Sequence, residues 1–206
     1  MKRTALLALA GLLALGATAS ADRRRHHGHG HGGGHGQDHG QGGPAQPAPI
    51  DLQALQVATS ACQNAFEGQA NEQLCLQTVM QGRLGLASVP ATINACEAAF
   101  EGDPNEQACV AIAVNAWQDP APVISACESA FEGDPNELAC VQTLAQSSLP
   151  VSAVGACENS FEGDANEQAC LAALVGTRYD AVQLVNYCDE NYAGDDAELQ
   201  CLGMFR

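Results

Sequence analysis

Three sets of side chains in this 206-residue chain have types and spacings that can do chemistry: ten cysteines, six histidines and a recurring series of glutamates. The cysteines fall into five pairs: Cys62 with Cys75, Cys96 with Cys109, Cys127 with Cys140, Cys157 with Cys170, and Cys188 with Cys201, each 13 positions apart. Thiols bind soft metals, cycle electrons or close disulfides. A thioredoxin-like or zinc-ribbon site would show CxxC, and none is present. Residues 50–206 hold no histidine, and five pairs do not divide evenly into four-thiolate zinc sites. A Cu(I)-thiolate store suits soft ligands, but paired cysteines in an exported chain oxidise. Five disulfides, one inside each pair, are therefore expected.

The histidines crowd a single stretch, DRRRHHGHGHGGGHGQDHGQGGPAQPAP, over residues 22–49. His26, His27, His29, His31, His35 and His39 lie there, with imidazoles at i, i+2 and i+4 on a glycine-rich chain. Such a chain can wrap Zn²⁺, Ni²⁺ or Cu²⁺, with Asp38 assisting. Nothing pre-organises the ligands, so a divalent transition metal would be loosely held, and no cofactor is required. The plainer use of the stretch is a solvated linker.

The glutamates Glu97 and Glu101, Glu128 and Glu132, and Glu158 and Glu162 are like-charge i, i+4 pairs near helix C-termini, where charge and pairing both oppose the helix. Their recurrence predicts a row of carboxylates along one side, a surface for cations, a basic peptide or a basic protein. Solubility through net charge is the plainer alternative. Residues 50–206 carry 22 acidic side chains against Arg83, Arg178 and Arg206, and the whole chain has a formal charge of -16. Phosphate backbones need clustered Lys and Arg, so nucleic acid is excluded as a partner. No G-x-S-x-G, no cysteine with a neighbouring histidine, no H-E-x-x-H and no phosphate loop occurs. The chain is not expected to be an enzyme, and no catalytic residue is assigned.

The elements that must position these groups are legible in order. Lys2 and Arg3, the apolar run Thr4 to Ala17 and Ala19-Ser20-Ala21 read as a secretory signal peptide over residues 1–21, cleaved after Ala21. The run is too short for a comfortable membrane span, and no other stretch approaches one. The chain is thus expected in the periplasm or outside the cell. Residues 22–49 lack apolar periodicity and are expected to be disordered, since they cannot offset their conformational entropy by burial.

Residues 50–206 repeat. Aligned on the cysteines, the units read CQNAFEGQANEQLC, CEAAFEGDPNEQAC, CESAFEGDPNELAC, CENSFEGDANEQAC and CDENYAGDDAELQC, recurring after 34, 31, 30 and 31 residues. A fixed period in this range signals stacked supersecondary units. In the second unit Ile93, Cys96 and Phe100 share a helical face, and Cys109, Val110, Ala113 and Val114 give a second one. Gly102 is expected to end the first helix at a left-handed C′ position. Asp103 is expected as N-cap of the second, with Pro104 at N1 and Glu106 at N3 as a capping box. The same turn offers oxygens at Glu101, Asp103, Asn105 and Glu106, but it lacks the glycine at position six and the glutamate at position twelve of a Ca²⁺ loop, so it reads as a capping turn.

Each cysteine lies six or seven residues from the turn glycine, so the two meet at equal height. Ala95, Ala126 and Ala156 before the first cysteine, and Ala108, Ala139 and Ala169 before the second, allow the close approach a disulfide needs. With aromatics at 4%, the core must come from Ala, Val, Leu and Cys. Trp117, Tyr179, Tyr187 and Tyr192 are expected to pack in the core or between units.

Over residues 50–206 the period and hairpin plan resemble Sel1-type and tetratricopeptide helical-hairpin arrays, especially exported, cysteine-stapled ones. The likeness is one of plan. The W-x-x-L-G pattern of tetratricopeptides and the glycine/alanine signature of Sel1 repeats are absent, so no functional residue is carried over. The expected fold is all-α: a solenoid of five disulfide-stapled αα-hairpins of about 31 residues, with repeats near 50–84, 85–118, 119–148, 149–178 and 179–206. The expected function is an exported, non-enzymatic scaffold or binding protein with an acidic surface; the alternative is a metal-binding protein using the histidine tail.

Overall fold

The computed structural model describes residues 51–206. The signal segment 1–21, the stretch 22–49 and all six histidines lie outside the described residues.

Ten α-helices follow one another: α1 (Leu52–Ala65), α2 (Gln69–Gln81), α3 (Val89–Ala99), α4 (Asp103–Ala113), α5 (Pro120–Ala130), α6 (Asp134–Ala145), α7 (Ser152–Ser160), α8 (Asp164–Leu174), α9 (Ala181–Asn191) and α10 (Asp195–Gly203). A short 3₁₀ helix, Leu86–Ser88, precedes α3. No strand occurs among the described residues. Pro90, Pro104, Pro120 and Pro135 stand in first turns, where a missing N–H costs no helical bond.

Each odd-numbered helix packs on the even one that follows it. Odd helices also pack on odd neighbours, α1 on α3 through to α9, and even helices on even neighbours, α2 on α4 through to α10. The core runs between these two rows. Ile93, Ile124 and Val154 of the odd helices and Val110, Val141 and Leu171 of the even ones belong to it, all at most 2% exposed. Burying such a side chain contributes about 1.5–3 kcal/mol, which short helices need because they are marginal alone.

Five disulfides link odd to even helix within each hairpin. Cys62 is bonded to Cys75, Cys96 to Cys109, Cys127 to Cys140, Cys157 to Cys170 and Cys188 to Cys201, with Cα atoms 5.7–5.8 Å apart. No cysteine is free. Five bridges fit an oxidising, non-cytoplasmic setting. No helix of the described residues is long and apolar enough to cross a membrane.

The turn differs from the expected one. The first helix ends before the glycine: Phe100 is extended and its N–H donates to the Cys96 carbonyl at 3.0 Å. Gly102, with φ 84° and ψ 139°, is the N-cap of α4 rather than the C′ residue of α3. Asp103 is therefore the first helical residue, and its carboxylate accepts from the Asn71 amide of the preceding hairpin. Chain reversal here takes one extended residue and then a backbone conformation open in practice to glycine. Phe100 is thus the C-cap of α3 and Gly102 the N-cap of α4, each one position earlier than the expected turn places them.

Of the aromatic expectation, packing in the core fails for all four residues, and a contact between units is made by Trp117. Trp117 is 73% exposed and Tyr179 61%, while Tyr187 and Tyr192 are exposed as well. Trp117 lies under the Arg83 guanidinium, 5.0 Å from its ring centre, and Tyr179 and Tyr187 meet Phe205 edge-on. Of the aromatic side chains described, only Phe66, Phe100, Phe131 and Phe161, beside the hairpin turns, are buried.

Candidate functional site

The cysteines are placed as staples. Cys62, Cys75, Cys96, Cys109, Cys127, Cys140, Cys157, Cys170, Cys188 and Cys201 are each at most 1% exposed. A sulfur that is bonded and sealed from solvent offers neither a thiolate ligand nor an accessible redox partner.

The hairpin turns line up because their helices do, and this brings two kinds of acidic group together. The first is exposed. Glu97, Glu128 and Glu158 each follow the cysteine of α3, α5 and α7, and Glu101, Glu132 and Glu162 each precede the turn glycine. All six are exposed. Since α3 packs on α5 and α5 on α7, equal register puts equal charges on adjacent helices. Solvent meets this row directly, and its field is negative.

The second kind is buried. Glu106, Glu137, Glu167 and Glu198, in the first turns of α4, α6, α8 and α10, are only 5–8% exposed. One oxygen of each, Oε2, is buried with no hydrogen-bond partner. Burial pushes the Glu106 carboxyl above its ordinary value, and Asp103 and then Glu97 push it the same way; the Gly102 N–H opposes them. Glu137 is raised by burial and then by Asp134, Glu128 and Asp164. Glu167 is raised by burial, Asp164 and Glu158, and Glu198 by burial, Asp189 and Asp195. The first hairpin differs: Glu72 at the same register is only half-buried.

Between hairpins the turns are tied by a polar ladder. The Asn71 amide donates to Asp103, Asn105 to Asp134, Asn136 to Asp164 and Asn166 to Asp195. Each amide also donates to a carbonyl of its own turn, as Asn105 does to the Glu101 oxygen at 3.1 Å. Gln107 and Gln168 add bonds to the backbone of the preceding hairpin, at 2.9 and 2.7 Å. One oxygen of each turn aspartate is thus engaged with the preceding turn. Among the described residues no group of three or more His, Cys, Asp or Glu side chains is arranged to hold a metal.

Sequence reasoning anticipated the pairing of the ten cysteines and the exposure of the six glutamates, but not the ladder or the buried glutamates. A signal for both was present. The pair Asn-Glu recurs in four units, at residues 71–72, 105–106, 136–137 and 166–167, with Ala197-Glu198 in the fifth. Strict recurrence of a polar pair inside an apolar frame marks a position with a partner in the next copy.

Two further features are open clefts. One, of about 310 Å³, is lined by Tyr179, Asp180, Gln183, Leu184, Tyr187 and Phe205. Another, of about 490 Å³, runs along Gln142, Gln146, Ala172 and Val175 to Arg206. Neither brings together a nucleophile and a base. In comparisons with known proteins, no family model, no curated protein and no solved structure matches the chain.

Proposed function

We propose that the chain is an exported, non-enzymatic helical scaffold, an α-solenoid of five stapled hairpins, that binds a basic protein or peptide along its acidic face. What carries the reading is one observation: six exposed glutamates recur at two positions in three successive hairpins, Glu97, Glu128 and Glu158 on the adjacent helices α3, α5 and α7 and Glu101, Glu132 and Glu162 in the turns that follow them rather than on the same helices. On this reading residues 1–21 direct export to the periplasm or the exterior, no catalytic residue is assigned and no cofactor is required. Opposed charges across such a face set association rate and specificity, and salt weakens both. The test is calorimetric titration of the full chain with an arginine- and lysine-rich peptide, beside the variant Glu97→Lys/Glu128→Lys/Glu158→Lys. Tenfold or weaker binding by the variant, on the order of 1.4 kcal/mol, together with loss of binding in high salt, is the expected result. Equal affinity for both would end the proposal.

A second reading is metal binding by the histidine-rich segment. It is favoured by the six histidines that crowd residues 26–39 of a glycine-rich stretch, three of them at i, i+2 and i+4. His26, His27, His29, His31, His35 and His39 are then the ligands, and Zn²⁺, Ni²⁺ or Cu²⁺ the ion. Titrating each ion into the full chain and into a variant with all six histidines replaced by alanine decides it; equal affinities would count against it.

A further inference from the structure

Four equivalent carboxylates are buried with no cation acting on them among the described residues; only the backbone N–H groups of Gly102, Gly133, Gly163 and Gly194 favour their ionised form, and burial outweighs them. Glu106, Glu137, Glu167 and Glu198 each place Oε2 out of solvent without a partner. An ionised oxygen so placed forfeits its hydration and gains no bond in return. A carboxylic acid there would carry no charge to solvate. Among the described residues the charged groups acting on these sites are all acidic. Asp103, Asp134, Asp164 and Asp195 lie on the same helices as the four glutamates. Glu97, Glu128, Glu158 and Asp189 come from the facing helix of each hairpin, and Asp164 also reaches Glu137 from the next hairpin.

We propose that Glu106, Glu137, Glu167 and Glu198 form a row of four proton-binding sites, so that the helical array takes up protons and tightens as its surroundings acidify. The sites lie just below the surface, next to the turn, so protons reach them without unfolding. The array is then a sensor of acidity whose response is multiplied by repetition. This inference is independent of any basic partner.

The sign follows from linkage. A carboxyl whose folded value lies above its unfolded value binds protons more readily in the folded state. Its stabilising contribution is full below the unfolded value, near 4.5, and is lost as pH rises through the higher folded value. The midpoint of thermal unfolding should therefore climb as pH falls from neutral towards that value, the reverse of ordinary acid denaturation.

Thermal unfolding of the oxidised full chain between about pH 7.5 and pH 5 tests this. The wild type is expected to gain on the order of 5 °C across that range. The fourfold variant Glu106→Gln/Glu137→Gln/Glu167→Gln/Glu198→Gln should unfold higher at neutral pH and lose the slope. The variant Glu101→Gln/Glu132→Gln/Glu162→Gln, which removes exposed carboxylates of the same turns, should keep it. A wild-type midpoint that is flat or falls with acid would overturn the proposal. So would a slope abolished equally by the exposed substitutions, which would trace it to general charge repulsion. Carboxyl carbon-13 titration of the wild type reads the same property without substitution. Four glutamates protonating at higher pH than the rest support the row, and uniform titration of all glutamates overturns it.

Discussion

Two helices joined by a disulfide must come closer than helices with ordinary side chains between them. The alanines flanking most of these cysteines permit the 5.7–5.8 Å Cα separation observed in every hairpin. Each bridge closes a loop of comparable length, and chain entropy assigns such a loop about 3 kcal/mol. Replacing Cys127 and Cys140 together by serine should lower unfolding free energy in urea by about 2–4 kcal/mol. A second residue-level constraint sits beside it. At Gly133 φ is 86°, and an added Cβ would meet nothing within 4 Å. The cost of Gly133→Ala is thus conformational rather than steric, and urea denaturation should show a loss of about 1–2 kcal/mol.

Helix ends set the contacts between hairpins. The linker after α2 sends the N–H groups of Arg83 and Leu84 to the Val114 carbonyl at the end of α4, at 2.8 and 2.9 Å. After α4, the Trp117 N–H reaches the Ala145 carbonyl at the end of α6, at 3.1 Å. Each linker thereby satisfies a carbonyl that its neighbour's helix leaves without a partner. At the opposite end the Asn–Asp ladder does the same work for the turns, with the aspartates also well placed against helix N-termini. Breaking one rung, by Asn105→Ala or Asp134→Ala, should cost about 1–2 kcal/mol each. Because they share one bond, the double variant should lose less than the sum of the two, and a double-mutant cycle in urea measures the difference.

Across the whole array the ladder has two unlike ends. Gln69 stands in the first hairpin where the others carry the accepting aspartate, and Ala197 stands in the last where the others carry the donating asparagine. The second, third and fourth hairpins hold both halves. A hairpin inserted internally would therefore find a complete set of contacts on either side. Duplicating residues 119–148 in frame should raise the thermal midpoint by several degrees, since stability in stacked repeats grows with each interface. An unchanged or lowered midpoint, read by calorimetry, would show that the hairpins do not add in this way.

Helix content, hairpin pairing of the cysteines and the glutamates facing solvent were legible in the linear order of residues, because each depends on spacing within one unit. Ile93 and Cys96 are on one buried face of α3 as their periodicity demands, while Phe100 is buried as the extended residue just after it, and the 13-residue separation brings each cysteine pair to the same height, Cys62 with Cys75 at one end of the array and Cys188 with Cys201 at the other. The turn was misplaced by one residue. Asp-Pro-Asn-Glu fits an N-terminal cap in either of two registers, and only the backbone angles at Gly102 choose between them. Glu106 and its three counterparts have the same local sequence whether they cap a turn in water or lie buried in the stack: Glu198 of the last hairpin is buried, whereas Glu72 of the first, which has no preceding hairpin among the described residues, is only half-buried. Their burial, their unpartnered oxygens and the ladder beside them arise from contacts between residues about 30 positions apart, as Asn105 with Asp134 illustrates. Charge and polarity are properties of a residue, whereas desolvation is a property of what the fold lays on top of it.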